Sequence, residues 1–183
     1  MVAQLVPAVA AREVSLKTMT KTFYIVIALI VANPMFSQQS LDDLLKSHNT
    51  KNIPYISVQE LAMPKTDAII LDARELKEFE ISHIKNAIHV GFNHFNKNSI
   101  KNIINDKNKP IVVYCSVGIR SETIAHKLKK AGYNNVFNLY GGIFEWKNKG
   151  FKVYNSKEQE TENIHTFNKK WSPWLKKGNK IYD

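Results

Sequence analysis

The chain has a single cysteine, Cys115, in 183 residues. An intrachain disulfide is therefore excluded, and so is a zinc site built from several cysteines. Any thiol chemistry must happen at that one position. The apolar run Phe23 to Ala32 is about half of the ~20 residues needed to span a bilayer, and Asn33-Pro34 ends it. Acidic residues are few, 16 against 26 basic, for a formal charge of +10. That excess is diffuse: +2 over residues 1–40, +6 over 41–154 and +2 over 155–183. No stretch has the density of a nucleic-acid-binding arm, so nucleic acid is not an expected partner. The six histidines offer no convincing metal set, because His89 and His94 stand five apart, off a common helical face. Neither a metal nor a cofactor is expected. There is no internal repeat, and 44% hydrophobic content suits one ordinary α/β core.

Between Thr22 and Leu41 no residue is charged, and Lys17 and Lys21 precede the apolar run. This charge-then-apolar order is that of a secretory signal, with Ser37 as the small residue before the cut. Residues 1–37 are thus expected to be an N-terminal extension and signal, and 38–52 a polar linker. The expected location is the periplasm or the exterior, with no stable membrane span after cleavage. The alternative is an uncleaved signal that anchors the protein. Met19 is a second candidate start, which would make residues 1–18 an upstream extension. A thiol protein with one cysteine is compatible with an oxidising compartment, since it cannot lock itself into an internal disulfide.

Downstream, apolar residues arrive in short runs. Tyr55-Ile56, Ala68 to Leu71, Ala87 to Val90, Ile111 to Tyr114 and Val136 to Leu139 read as strands, the middle ones too continuously apolar for a sheet with one wet face. Helical patterns separate them. Ser57-Val58-Gln59-Glu60 has the spacing of a capping box, Glu75 to Ile81 reads as a short charged helix, and Ser121 to Lys130 carries Ile124 and Leu128 on one face. The alternation predicts an α/β fold with an open parallel sheet and right-handed crossovers. In such sheets reactive groups lie at the carboxyl ends of strands, which is where Ile111 to Tyr114 delivers Cys115.

The segment Cys115-Ser116-Val117-Gly118-Ile119-Arg120-Ser121 is a thiol, a compact turn with one glycine, and an arginine opening a helix. Such a turn converges backbone N–H groups into an anion cradle. The helix end contributes about 0.3–1 kcal/mol, up to ~2 when partly buried, enough to lower a thiol from ~8.5 by roughly one unit. Amide hydrogen bonds and Arg120 would supply any further shift. A cysteine that merely filled the core would need neither the turn nor the arginine.

Four motifs in order resemble the rhodanese family over about Ile53 to Tyr154. They are Leu71-Asp72-Ala73-Arg74-Glu75 with Phe79; Ser82-His83-Ile84-Lys85-Asn86-Ala87-Ile88; the Cys115 loop; and Tyr140-Gly141-Gly142-Ile143-Phe144-Glu145-Trp146 with Gly150. The resemblance implies a rhodanese fold, helices on both faces of the sheet, over a domain of residues 53–154. It makes Cys115 the sulfur acceptor. It places Ser116, Val117, Gly118, Ile119, Arg120 and Ser121 around the persulfide, with Asp72 and Arg74 supporting the loop from a neighbouring strand end. An ordinary surface ion pair is the alternative for Asp72 and Arg74. Gly141-Gly142 and Trp146 are expected to be structural, as is His83. The sequence departs from the family at Ser82, where glycine is common, and at Lys85-Asn86, where Pro-Gly is usual. No second basic residue stands at Ser116 or Val117, where members that handle thiosulfate well often carry one.

The activity implied is sulfur transfer through a Cys115 persulfide, from thiosulfate or a persulfide or polysulfide, to a thiol or another nucleophile. Small sulfur-containing anions and thiol acceptors are the implied partners. One rival is a low-turnover persulfide carrier that hands sulfur to a protein acceptor. Another is a cysteine-dependent phosphatase or arsenate reductase, but those use Cys-x5-Arg, and Cys115 to Arg120 is one residue shorter. Residues 155–183 hold Trp171, Trp174 and five lysines from Lys169 to Lys180. They read as a basic tail laid against the domain, with a protein contact as the alternative.

Overall fold

The computed structural model describes residues 40–50 and 52–183. The expected signal, its cleavage point at Ser37 and the alternative start at Met19 lie outside the described residues. Five parallel strands form the central sheet: β1 (Tyr55–Ile56), β2 (Ile69–Asp72), β3 (Ile88–His89), β4 (Ile111–Tyr114) and β5 (Val136–Leu139), in the order β1-β5-β4-β2-β3. The middle strand β4 is buried at all four positions, as its uninterrupted apolar run requires of a strand covered on both faces. Side chains alternate across it. Val112 and Tyr114 enter one core, Ile111 and Val113 the other.

Helices cover both faces. On the Val112 side lie α1 (Leu41–His48), α2 (Val58–Ala62) and α6 (Gly142–Asn148), contributing Leu44, Val58, Leu61, Ile143, Phe144 and Trp146. On the other lie α4 (Lys97–Ile103) and α5 (Arg120–Lys130), contributing Ile100, Ile124, Ala125 and Leu128. The short helix α3 (Leu76–Ile81) follows β2. The Ser57–Glu60 capping box forms as its spacing predicts, with both reciprocal hydrogen bonds present. At Lys85-Asn86 the chain turns with Asn86 at φ 62, a left-handed conformation that asparagine tolerates better than most residues.

One segment differs from the sequence expectation, and residues 155–183, expected to lie against the domain, do so with strands of their own that the sequence reading did not include. Within the stretch read as a polar linker, Leu41–His48 is helical: Ser40 caps it by accepting from the Asp43 amide, and Leu44 and Leu45 are buried. The three leucines at 41, 44 and 45 carry the helical period, but the charges between them hide it. Residues 155–183 are also built into the fold. Beyond the antiparallel pair β6 (Val153–Tyr154) and β7 (Glu160–Thr161), β8 (Asn163–His165) pairs in parallel with β9 (Asn179–Ile181), and a 3-10 turn spans Ser172–Trp174. Ile164 and Leu175 are fully buried, with Trp171 and Trp174 packed beside them. Asn148 on α6 ties the segment down, donating to Trp174 O at 2.9 Å and accepting from the Lys176 amide at 2.7 Å.

Burying Ile164 and Leu175 stabilises the fold by about 3–6 kcal/mol together. Truncation at Asn155 is therefore expected to lower the melting temperature by about 10 °C or more, read by circular dichroism. An unchanged melting temperature would mean that the segment contributes nothing to the core.

Candidate active site

Cys115 follows β4 directly and is 1% exposed. The chain then doubles back through Ser116 to Ile119 and enters α5 at Arg120. Gly118 takes φ +106, which a side chain would resist, and this turns its amide onto the sulfur: Gly118 N donates to Cys115 Sγ at 3.1 Å. Ser121, in the first turn of α5, places its Oγ 3.5 Å from the same sulfur and 2.7 Å from Asn138 Oδ1. Its single hydroxyl proton serves one acceptor at a time.

The loop carbonyls are held on the outside. Cys115 O and Ser116 O accept from the amides of Ile143 and Phe144 at 2.9 and 3.1 Å, and Gly118 O accepts from the side-chain amides of Asn49 and Asn138 at 2.9 and 2.8 Å. Gly142 permits the first pair. A Cβ there would lie 2.2 Å from Cys115 O, so only glycine lets α6 approach this closely. Gly141-Gly142 does open a helix whose Trp146 packs on the core, and it also seats the cysteine loop.

Arg120 is fixed by a residue that sequence reasoning missed, Glu78. Its carboxylate, fully buried in α3, accepts from Arg120 Nη1 and Nη2, both at 2.7 Å. Ser116 Oγ joins the group, 3.0 Å from Arg120 Nη2 and 3.2 Å from Glu78 Oε1. Burial would push the Glu78 carboxyl up, but the Arg120 hydrogen bonds and charge, with Arg74 and the Glu75 amide, hold it below its ordinary value. Cys115 follows the same balance: burial opposes ionisation, and the Arg120 charge with hydrogen bonds from Ser121 and Gly118 outweighs it, so the thiol is lowered.

Asp72 and Arg74 do not form a surface pair. Both are fully buried, with Arg74 Nη2 2.6 Å from Asp72 and also donating to Ser82 O at 2.6 Å. Asp72 pairs with Tyr114 across the sheet, and the Ala73 amide donates to Tyr114 O at 2.8 Å, which sets the end of β2 beside the strand end that carries Cys115. The signals for the missed residues were weak but present. Glu78 is an acid one position before Phe79 on a short charged helix, and Asn138 is the lone polar residue in an apolar strand. His83 stacks on Phe79 at 4.1 Å, and its backbone bridges to Tyr154. Among the sequence-predicted residues, Cys115, Ser116, Val117, Ile119 and Arg120 line one cavity; Gly118 and Ser121 contact the sulfur from beneath.

Glu78→Gln leaves Arg120 without its counter-charge. It is expected to cost about 2–4 kcal/mol, below the usual range for a buried pair because the Arg120 side chain keeps 19% exposure. Because the Glu78 carboxyl is lowered in the folded state, its stabilisation is present above about pH 4.3 and fades as acid protonates it. Thermal melts against pH should show that loss in the wild type and a smaller one in the variant. Equal stability at neutral pH would contradict the role of this carboxylate.

A model of the rhodanese-like domain matches residues 57–149, half of the chain. The thiosulfate sulfurtransferase GlpE of Coxiella burnetii is 37% identical over 97 residues, covering 53% of this chain and 87% of the relative. The tRNA uridine(34) hydroxylase of Aster yellows witches'-broom phytoplasma is 39% identical over 97 residues, which cover 50% of this chain and 32% of that protein. Among solved structures, a thiosulfate sulfurtransferase from Pseudomonas aeruginosa superposes with a TM-score of 0.54 at 24% identity, over 63% of this chain and 22% of that one. The BH2092 protein from Bacillus halodurans superposes with a TM-score of 0.51 at 23% identity, over 64% of this chain and 88% of that one. At these identities the two structures establish the shared fold alone. With the parallel five-stranded sheet, helices on both faces and the cysteine loop at the end of β4, the chain belongs to the rhodanese-like domain family.

Proposed function

We propose that this protein is a sulfurtransferase that carries sulfane sulfur as a persulfide on Cys115. The observation that carries this is the Sγ of the only cysteine, seated where N–H donors and the Arg120 charge converge on it. Support also comes from the Coxiella sulfurtransferase, matched over 87% of its length. The hydroxylase name belongs to proteins of which this chain matches 32%.

In the first step the Cys115 thiolate attacks the outer sulfur of a donor. A new S–S bond forms, the donor's own bond to that sulfur breaks, and the leaving group departs with the electron pair. In the second step a nucleophile such as cyanide or a thiolate attacks the terminal sulfur and the Cys115 thiolate is released. Ping-pong kinetics follow. Ser116 to Ser121 hold the anionic sulfur in both states, and Asp72 with Arg74 keeps the strand end in place. The balance of the two steps requires no cofactor or metal. The donors and acceptors are small sulfur-containing anions and thiols, and the order of Lys17, Lys21 and the run Phe23 to Ala32 supports a place outside the cytoplasm.

Intact-mass measurement after incubation with a polysulfide, then with cyanide, tests the proposal. The expected result is a gain of one sulfur that cyanide removes and that Cys115→Ser never acquires. No adduct with a polysulfide or with thiosulfate would overturn the enzyme reading in favour of a binding module.

A further inference from the structure

The cavity in front of Cys115 has a volume of about 130 Å³, and the matched domain does not complete its wall. Val117, Ile119 and Arg120 form one side, while Phe167 and Trp171 come from the C-terminal segment, beyond residue 149. Phe167 stands at φ 63, an outlier for an aromatic residue, and remains 41% exposed. Core burial does not account for a ring held there. Its position is enforced: the Phe167 amide donates to Nδ1 of the buried His165 at 3.0 Å, and the Arg120 guanidinium lies 5.1 Å from the ring centroid. Strain concentrated beside a nucleophile points to function. Trp171 is placed by its amide, which donates to Asn168 O, and by an edge contact with His48 of α1 at 6.5 Å.

Basic side chains are sparse in the lining of this cavity. Among the described residues that line it Arg120 is the one basic residue, and both of its terminal nitrogens rest on the Glu78 carboxylate. An inorganic dianion such as thiosulfate would enter with two charges and meet one cation already paired. An organic donor brings one negative charge, at the sulfur that Cys115 attacks, and an apolar group for the wall. The cavity opens to solvent and is close in size to the closed apolar cavities of about 150 Å³ that hold benzene, so it takes the ring or short alkyl group of such a donor.

Resting on the sulfurtransferase reading of Cys115, we infer that Phe167 and Trp171 select organic sulfane donors, persulfides or thiosulfonates carrying an aryl or short alkyl group, over thiosulfate. With benzenethiosulfonate, the Cys115 thiolate bonds to the sulfane sulfur, the bond from that sulfur to the sulfonyl sulfur breaks, and benzenesulfinate leaves with the electron pair. Charge and atoms balance without an oxidant.

The test measures kcat/KM of the full chain for benzenethiosulfonate and for thiosulfate, with cyanide as common acceptor, in wild type, Phe167→Gly and Trp171→Leu. Glycine accepts the left-handed φ, so the turn is retained; melting curves check both variants. The ratio of the two donors cancels their intrinsic reactivities when variant and wild type are compared. It is expected to fall about tenfold in favour of thiosulfate in each variant, mainly through KM for the aryl donor. In wild type alone, benzenesulfinate should protect Cys115 from alkylation at lower concentration than sulfite does. Unchanged donor ratios, or equal protection, would overturn the selectivity while leaving the persulfide chemistry intact. A wild type that forms no Cys115 persulfide with either donor would overturn both.

Discussion

Three carbonyls of the Cys115 loop are held away from the sulfur by donors at the end of α1, on β5 and on α6. The amides of Ile143 and Phe144 at the start of α6 take two of them, and Asn49 and Asn138 share the third. A peptide whose carbonyl is turned outward presents its N–H on the opposite side, here those of Ser116, Val117 and Ile119, and the fixed loop sets the adjoining peptide so that Gly118 N–H reaches the sulfur. Most of the site depends on this. The approach of α6 needs a residue without a side chain at Gly142, the turn needs Gly118 at positive φ, and Asn138 must be polar within an apolar strand. The sheet supplies the rest of the placement, since β5 sits beside β4 and brings Asn138 and the start of α6 to the same end as Cys115.

Glu78 adds a second constraint that works partly against the first. Its carboxylate holds Arg120 in place at the edge of the loop, and its charge offsets much of the guanidinium's. The thiol is lowered against the cost of its burial by the Arg120 charge first and then by hydrogen bonds from Ser121 and Gly118. The same pairing leaves little net charge for a dianionic substrate, which is why the apolar side chains that close the cavity weigh heavily in what enters it.

The sheet was largely legible in the sequence. Strands such as Ile111 to Tyr114 are short, wholly apolar and separated by helical patterns, which together point to a covered parallel sheet. The place of Cys115 was legible too, since a wholly apolar strand runs directly into it and a glycine turn follows. Glu78, Asn138 and Gly142 were harder, because each acts through a partner distant in sequence and its local pattern has an ordinary explanation as helix surface, strand interior or turn. Helix α1 escaped because its leucines are interspersed with charges, and β8 and β9 because a parallel pair this short has no period to read. That Phe167 and Trp171 reach the Cys115 cavity is a fact of tertiary packing alone, invisible to any window along the chain.

A pH titration of the thiolate's ultraviolet absorbance in the wild-type protein, with Cys115→Ser as blank, tests the central claim most directly, that the loop's donors and Arg120 together overcome the burial of Cys115. The expected midpoint lies below the ordinary thiol value of about 8.5. A midpoint at or above that value would contradict the account, because the loop would then be holding a neutral thiol.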